Sequence, residues 1–148
     1  MYGAVLFVHI LAAIMGLGVA FGFPAIAKGA KTTTEAKFVL GLLKKMETIP
    51  KVGSIILLLT GLILGFLNPV LFKTGWYLIS IVIYLAVQVI VAKMIPDHMK
   101  AQLAILENHN DENLPEEYLL IGKKSAGLER ISHLAAIILV VLMYFKPF

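Results

Sequence analysis

Not one of the 148 residues is a cysteine. That absence removes disulfides, c-type haem attachment and thiolate metal sites, and it leaves the redox compartment open. Charge is also scarce, at 15% of residues where a soluble domain carries about 25%. The opening "MYGAVLF" lacks the positive stretch with which a cleaved signal peptide begins, so the first apolar run is expected to stay in the protein. No Ser-His-Asp set, phosphate loop or pair of carboxylates within an apolar run can be found, so no catalytic constellation is visible.

What is abundant is hydrocarbon. Hydrophobic residues make up 59% of the chain, and the mean hydropathy is +0.90. This is the composition of an integral membrane protein. An apolar stretch of roughly 17–25 residues crosses the bilayer core as a helix. Four such stretches are predicted, at about Tyr2–Ala27, Pro50–Val70, Gly75–Ile95 and Arg130–Phe145. They imply one all-α domain, residues 1–148, built as a membrane four-helix bundle.

The net charge of +4 raises the question of nucleic acid. The cations flank apolar spans, however, so they bear on topology and nucleic acid is not expected as a partner. Lys28, Lys31, Lys37, Lys44, Lys45 and Lys51 fall between spans 1 and 2. Lys93, Lys100, Lys123, Lys124 and Arg130 fall between spans 3 and 4, and only Lys73 and Lys146 lie on the other side. The asymmetry predicts both long connections in the cytoplasm, both termini outside, and a multi-pass protein of the bacterial inner (cytoplasmic) membrane. Trp76 and Tyr77 then fall at the outer interface, where aromatic side chains anchor spans.

The long connections read as helical. "TTTEAKF" has the form of a capping box, with Thr32 as N-cap and Glu35 three residues on. Phe38, Val39, Leu42, Leu43 and Met46 follow as an apolar stripe at helical spacing. In "NLPEEYLLIG", Asn113 is placed to cap and Pro115 opens a helix of about 30 residues, roughly 45 Å long. Its first turns must protrude into the cytoplasm, as must the extension of span 3 past a kink at Pro96.

Polar side chains within hydrocarbon tend to face the bundle interior. His9 shares a face with Ala12, Ala13, Gly16 and Ala20; Ser54, Thr60, Gly61 and Asn68 share another. Ser80, Tyr84 and Gln88 are spaced four apart, and Glu129, Arg130, His133 and Tyr144 line up on the last span. His98 and His109 lie in the polar connection and read as surface residues. His9 and His133 lie within spans, where ionisable groups are rare and functional by default. Neutral imidazole is an iron ligand suited to a bundle core, so both are candidate metal ligands; the plain alternative is a histidine donating to a carbonyl. Counted from the span ends at 1.5 Å per residue, His9 and His133 differ in depth by about 8 Å. That offset suits two separate sites, or one site with a different second ligand. Ser80, Tyr84 and Gln88 are the candidate surroundings of a cofactor.

"HILAAIMGLG", "TIPKVGSIILLLTGLILG", "GWYLISIVIYL" and "VVLMYFKPF" together resemble several small bacterial membrane families. One contains predicted integral membrane proteins of unknown function, which "IPDHMKAQLAIL" and "LMYFKP" also resemble. The others are the HemJ-type protoporphyrinogen oxidases and the membrane domain of CopD-type copper proteins. The HemJ-type resemblance implies haem b with His9 as an axial ligand. Where that family has a lysine after the tryptophan of helix 3, this chain has Ile79 and Ser80, and only Lys28 stands where it has an arginine after helix 1. These departures count against the oxidase reaction and leave haem binding open. The expected function is thus a small b-type haem-binding or redox membrane protein. The alternatives are an accessory or scaffold subunit of a larger membrane complex, or copper or small-solute transport. The expected partners are the lipid bilayer and either complex subunits or further copies of the chain.

Overall fold

A computed structural model describes residues 1–148. It holds four long apolar helices: α1 Tyr2–Ala27, α2 Thr33–Leu67, α3 Gly75–Glu107 and α4 Glu116–Phe145. The helices of 35, 33 and 30 residues reach about 45–52 Å at 1.5 Å per residue, well past the ~30 Å hydrocarbon core. The spans expected at 75–95 and 130–145 are therefore parts of longer helices, and the one expected at 50–70 starts inside α2 and overruns its end at Leu67. The surplus turns of α2, α3 and α4 project together at the lysine-rich end, where they build a core of their own from Ala36, Leu40, Leu106 and Tyr118. Gln102 ties this end together, its amide nitrogen donating to the Tyr118 carbonyl at 3.2 Å.

α2 starts where its sequence says it should. The Glu35 amide donates to the Thr32 hydroxyl at 3.2 Å, and the Thr32 amide donates back to the Glu35 carboxylate at 3.3 Å. α4 starts differently from expectation. Pro115 is the N-cap and no side chain caps the helix. Asn113 instead gives its carbonyl to the Thr33 hydroxyl at 3.2 Å and faces the His109 ring at 2.9 Å, so it pins the connection to α2.

The middle of the bundle is closed by one residue from each helix: Ala12, Leu57, Tyr84 and Leu139. α1 lies directly on α2. A methyl group at Gly53 would stand 2.6 Å from the Gly16 backbone nitrogen, so the two backbones touch where both side chains are hydrogen. α3 packs along α4 as the second close pair, and the two pairs approach each other less closely. Outward-facing residues such as Phe66, Val82 and Ile14 are well exposed, as suits contact with lipid tails.

Three faces differ from the sequence pattern. On the first turns of α2 the buried set is Ala36, Leu40 and Leu43, while Phe38 and Leu42 point outward. Trp76 and Tyr77, expected as exposed anchors, are buried by the chain itself. The Trp76 amide donates to the Phe148 carbonyl at 3.0 Å, and the Lys146 ammonium sits 5.8 Å from the indole; the chain end folds over α3 and covers it. On α4 the buried face is Ser125, Ser132, Ala136 and Leu139, whereas Arg130 and Tyr144 are exposed.

Candidate functional site

The inward polar groups sort into two levels. At the level farther from the lysine-rich end, His9 is buried against α2. Its Nδ1 lies 2.9 Å from Thr60 Oγ1. Thr60 also lies 2.7 Å from the Ile56 carbonyl. A hydroxyl has one proton, and two acceptors at 2.7 Å without it would repel. Thr60 therefore donates to Ile56, and His9 Nδ1–H donates to Thr60. The network assigns the Nδ1–H tautomer, which leaves the Nε2 lone pair unshared. Gly61 makes room for the ring: a Cβ there would stand 3.3 Å from His9 Cε1. The Gly61 carbonyl is held in turn by the Tyr77 hydroxyl at 3.0 Å. A threonine and a glycine in a run of leucines thus position one imidazole.

Nearer the lysine-rich end a cavity of about 110 Å³ opens between the helix pairs. Its floor is Leu57, Tyr84 and Leu139, and its far end reaches Glu47, Lys51 and Glu129. Glu47 and Lys51 form an ion pair of 2.6 Å there. Two turns of π-helix, Ile14–Gly18 in α1 and Ile90–Met94 in α3, each contribute to the wall. Such wide turns are uncommon and recur at functional sites.

Of the residues expected at a site, the cavity gathers Tyr84, Gln88 and His133. Tyr84 donates to the Ser54 carbonyl at 2.6 Å, and the Ser54 hydroxyl donates to Gln88 Oε1 at 3.4 Å or to the Lys51 carbonyl at 3.1 Å. His133 makes no hydrogen bond and does not pair with Glu129. Its ring stacks on Phe21 with centroids 4.1 Å apart and planes 13° apart. Ser80 is buried, and its hydroxyl is spent on the Trp76 carbonyl of its own helix at 2.7 Å. His9 does not line the cavity, so the two intramembrane histidines belong to separate sites. Nowhere do three His, Asp or Glu side chains converge as a metal cluster. His98, expected on the surface, is half-buried, with its Nδ1 enclosed and unpartnered. Thr60 and Phe21 are the residues the sequence reading underrates. Thr60 stood at the right spacing on α2, but nothing in the chain marks Phe21 as a stacking partner of His133.

As a donor for haem, His9 offers a buried imidazole with its ring held by Thr60 and its Nε2 lone pair unshared. The cavity does not supply the room, since at about 110 Å³ it holds a single ring and not a macrocycle, and it does not reach His9.

No curated protein and no solved structure matches the chain. The family model described as "Predicted integral membrane protein (DUF2269)" matches residues 4–147. With nearly its whole length covered and four helices fit to span a bilayer, the chain belongs to the DUF2269 family of predicted integral membrane proteins.

Proposed function

We propose that this membrane protein is a small b-type haem-binding protein of redox type, with His9 as an axial ligand. The observation that carries the reading is the bond from His9 Nδ1–H to Thr60. It fixes ring and tautomer as partners of metal-bound histidines do, and raises the basicity of the remaining nitrogen. The haem iron would supply one-electron chemistry. Thr60 would hold the ring orientation, and Gly61 would keep the space the ring occupies. A macrocycle on His9 would take its room at the margin of the bundle, against lipid or a second copy of the chain, because the interior there is packed. Protein purified from haem-replete cells is expected to show a Soret band and one haem per chain. Colourless protein that stays colourless after haem addition would overturn the reading.

A second reading, an accessory subunit of a larger membrane complex, is favoured by one feature. Phe38 is 72% exposed on the part of α2 that projects beyond the hydrocarbon, between Lys37 and Leu42. Co-purification of a stoichiometric partner, lost in Phe38→Ser, is its expected outcome.

A further inference from the structure

The cavity between the helix pairs is distinct from the His9 site, and its chemistry indicates what fills it. We infer that it binds a single planar, uncharged ring bearing carbonyl oxygens, a quinone-class head group drawn from the bilayer.

Size comes first. At about 110 Å³ the space is close to the roughly 150 Å³ cavity known to take up benzene. It suits one ring and excludes a macrocycle. The charged lining groups, the Glu47–Lys51 ion pair and Glu129, gather at the far end, and the rest is mostly apolar, so an uncharged ring suits the inner part.

The polar groups then select the oxygens. Tyr84 and Ser54 donate to the protein itself, and Ser132 donates to the Leu128 carbonyl at 3.0 Å. Two donors remain. The Gln88 amide nitrogen carries two N–H groups, of which one turns to the neighbouring Tyr84 hydroxyl at most. His133 has a ring N–H with no partner. An N–H left unpaired within hydrocarbon is costly, and both face a space that fits a ring. A ligand with two acceptor oxygens satisfies Gln88 and His133 together. The stacked His133–Phe21 pair offers a flat wall, and the small side chain of Ala20 leaves a slot beside it. The two π-helical turns lie where this slot is formed.

The test uses the full chain in lipid nanodiscs with a short-tailed benzoquinone as probe, measured by equilibrium binding. Saturable binding of one probe per chain is expected. Gln88→Leu and His133→Leu, which keep the volume and remove the donors, should each weaken it roughly tenfold, the effect of one lost hydrogen bond at the strong end of the usual range. Ala20→Leu, which fills the slot, should abolish it. Phe7→Ala on the lipid-facing side of α1 should leave it unchanged. The same binding is expected in His9→Ala, so failure of the haem reading and failure of this one are separate results. Non-saturable uptake equal to that of protein-free nanodiscs overturns the proposal. So does binding indifferent to both Gln88→Leu and Ala20→Leu, since the space would then hold water alone.

Discussion

At Gly53 the backbone of α2 lies so close to α1 that a methyl group would meet the Gly16 backbone at 2.6–2.9 Å. Neither partner is a flexible side chain that can swing aside, so the helices must part. Gly53→Ala is expected to cost about 1–3 kcal/mol, the usual penalty of overpacking, read as a lower melting temperature in detergent. Gly41→Ala, where no atom lies within 4 Å of the new carbon, should melt at or slightly above the wild-type temperature, because glycine within a helix is itself unfavourable. Equal melting of both variants would contradict the close approach. Thr60 acts at the same scale. Thr60→Val keeps the shape and removes the acceptor for His9 Nδ1–H. Haem retention is expected to fall by about tenfold or more, as for other partners of metal-bound histidine, and Thr60→Ser should restore it.

Among the elements, the start of α2 and the connection before α4 hold one another. The Thr34 hydroxyl donates to the Glu112 carboxylate at 2.6 Å, and the Thr33 amide donates to the Glu112 carbonyl at 3.0 Å. That hydroxyl is the main reason the Glu112 carboxyl sits below its ordinary 4.5. A carboxyl with a lowered folded value contributes stability above its unfolded value and loses it as pH falls through the folded one. Protection of the Thr33 amide from hydrogen exchange should therefore drop as pH falls below 4.5, and Glu112→Gln should remove that step. A wild-type profile without the step would refute the coupling. The capping box here was legible because its signal is local: Thr32 and Glu35 need only each other. The apolar stripe was misread by part of a turn. Phe38 and Leu42 fit helical spacing as well as Leu40 and Leu43 do, and only the seat of α3 and α4 decides which pair is covered. Trp76 misled for a similar reason. Its position matched an interface anchor, but the chain end at Phe148 folds back over it.

For the whole molecule, four spans and their number could be read from apolar run length alone, because a bilayer imposes that length. Their pairing could not. α1 with α2 and α3 with α4 form close pairs, and the cavity lies between them. π-helical turns leave no periodic trace, so the wall formed by Ile14–Gly18 and Ile90–Met94 had no signal in the sequence. His9 and His133 were both legible as intramembrane histidines, but their similar "HLAAI" and "HILAAI" surroundings concealed different partners, Thr60 and Phe21. Orientation rests on lysine asymmetry, and the cysteine-free chain makes it simple to test. Lys37→Cys should react with an impermeant maleimide only from the cytoplasmic side, and Lys73→Cys only from the opposite side. The reverse labelling would invert the topology.

The visible spectrum tests most directly whether His9, its ring held by Thr60, ligates haem. Wild-type protein purified from haem-replete cells is predicted to carry one haem per chain with a Soret band. His9→Ala, folded by circular dichroism, is predicted to lose that band. A His9→Ala protein with the wild-type spectrum, or a wild type that takes up no haem, would contradict it.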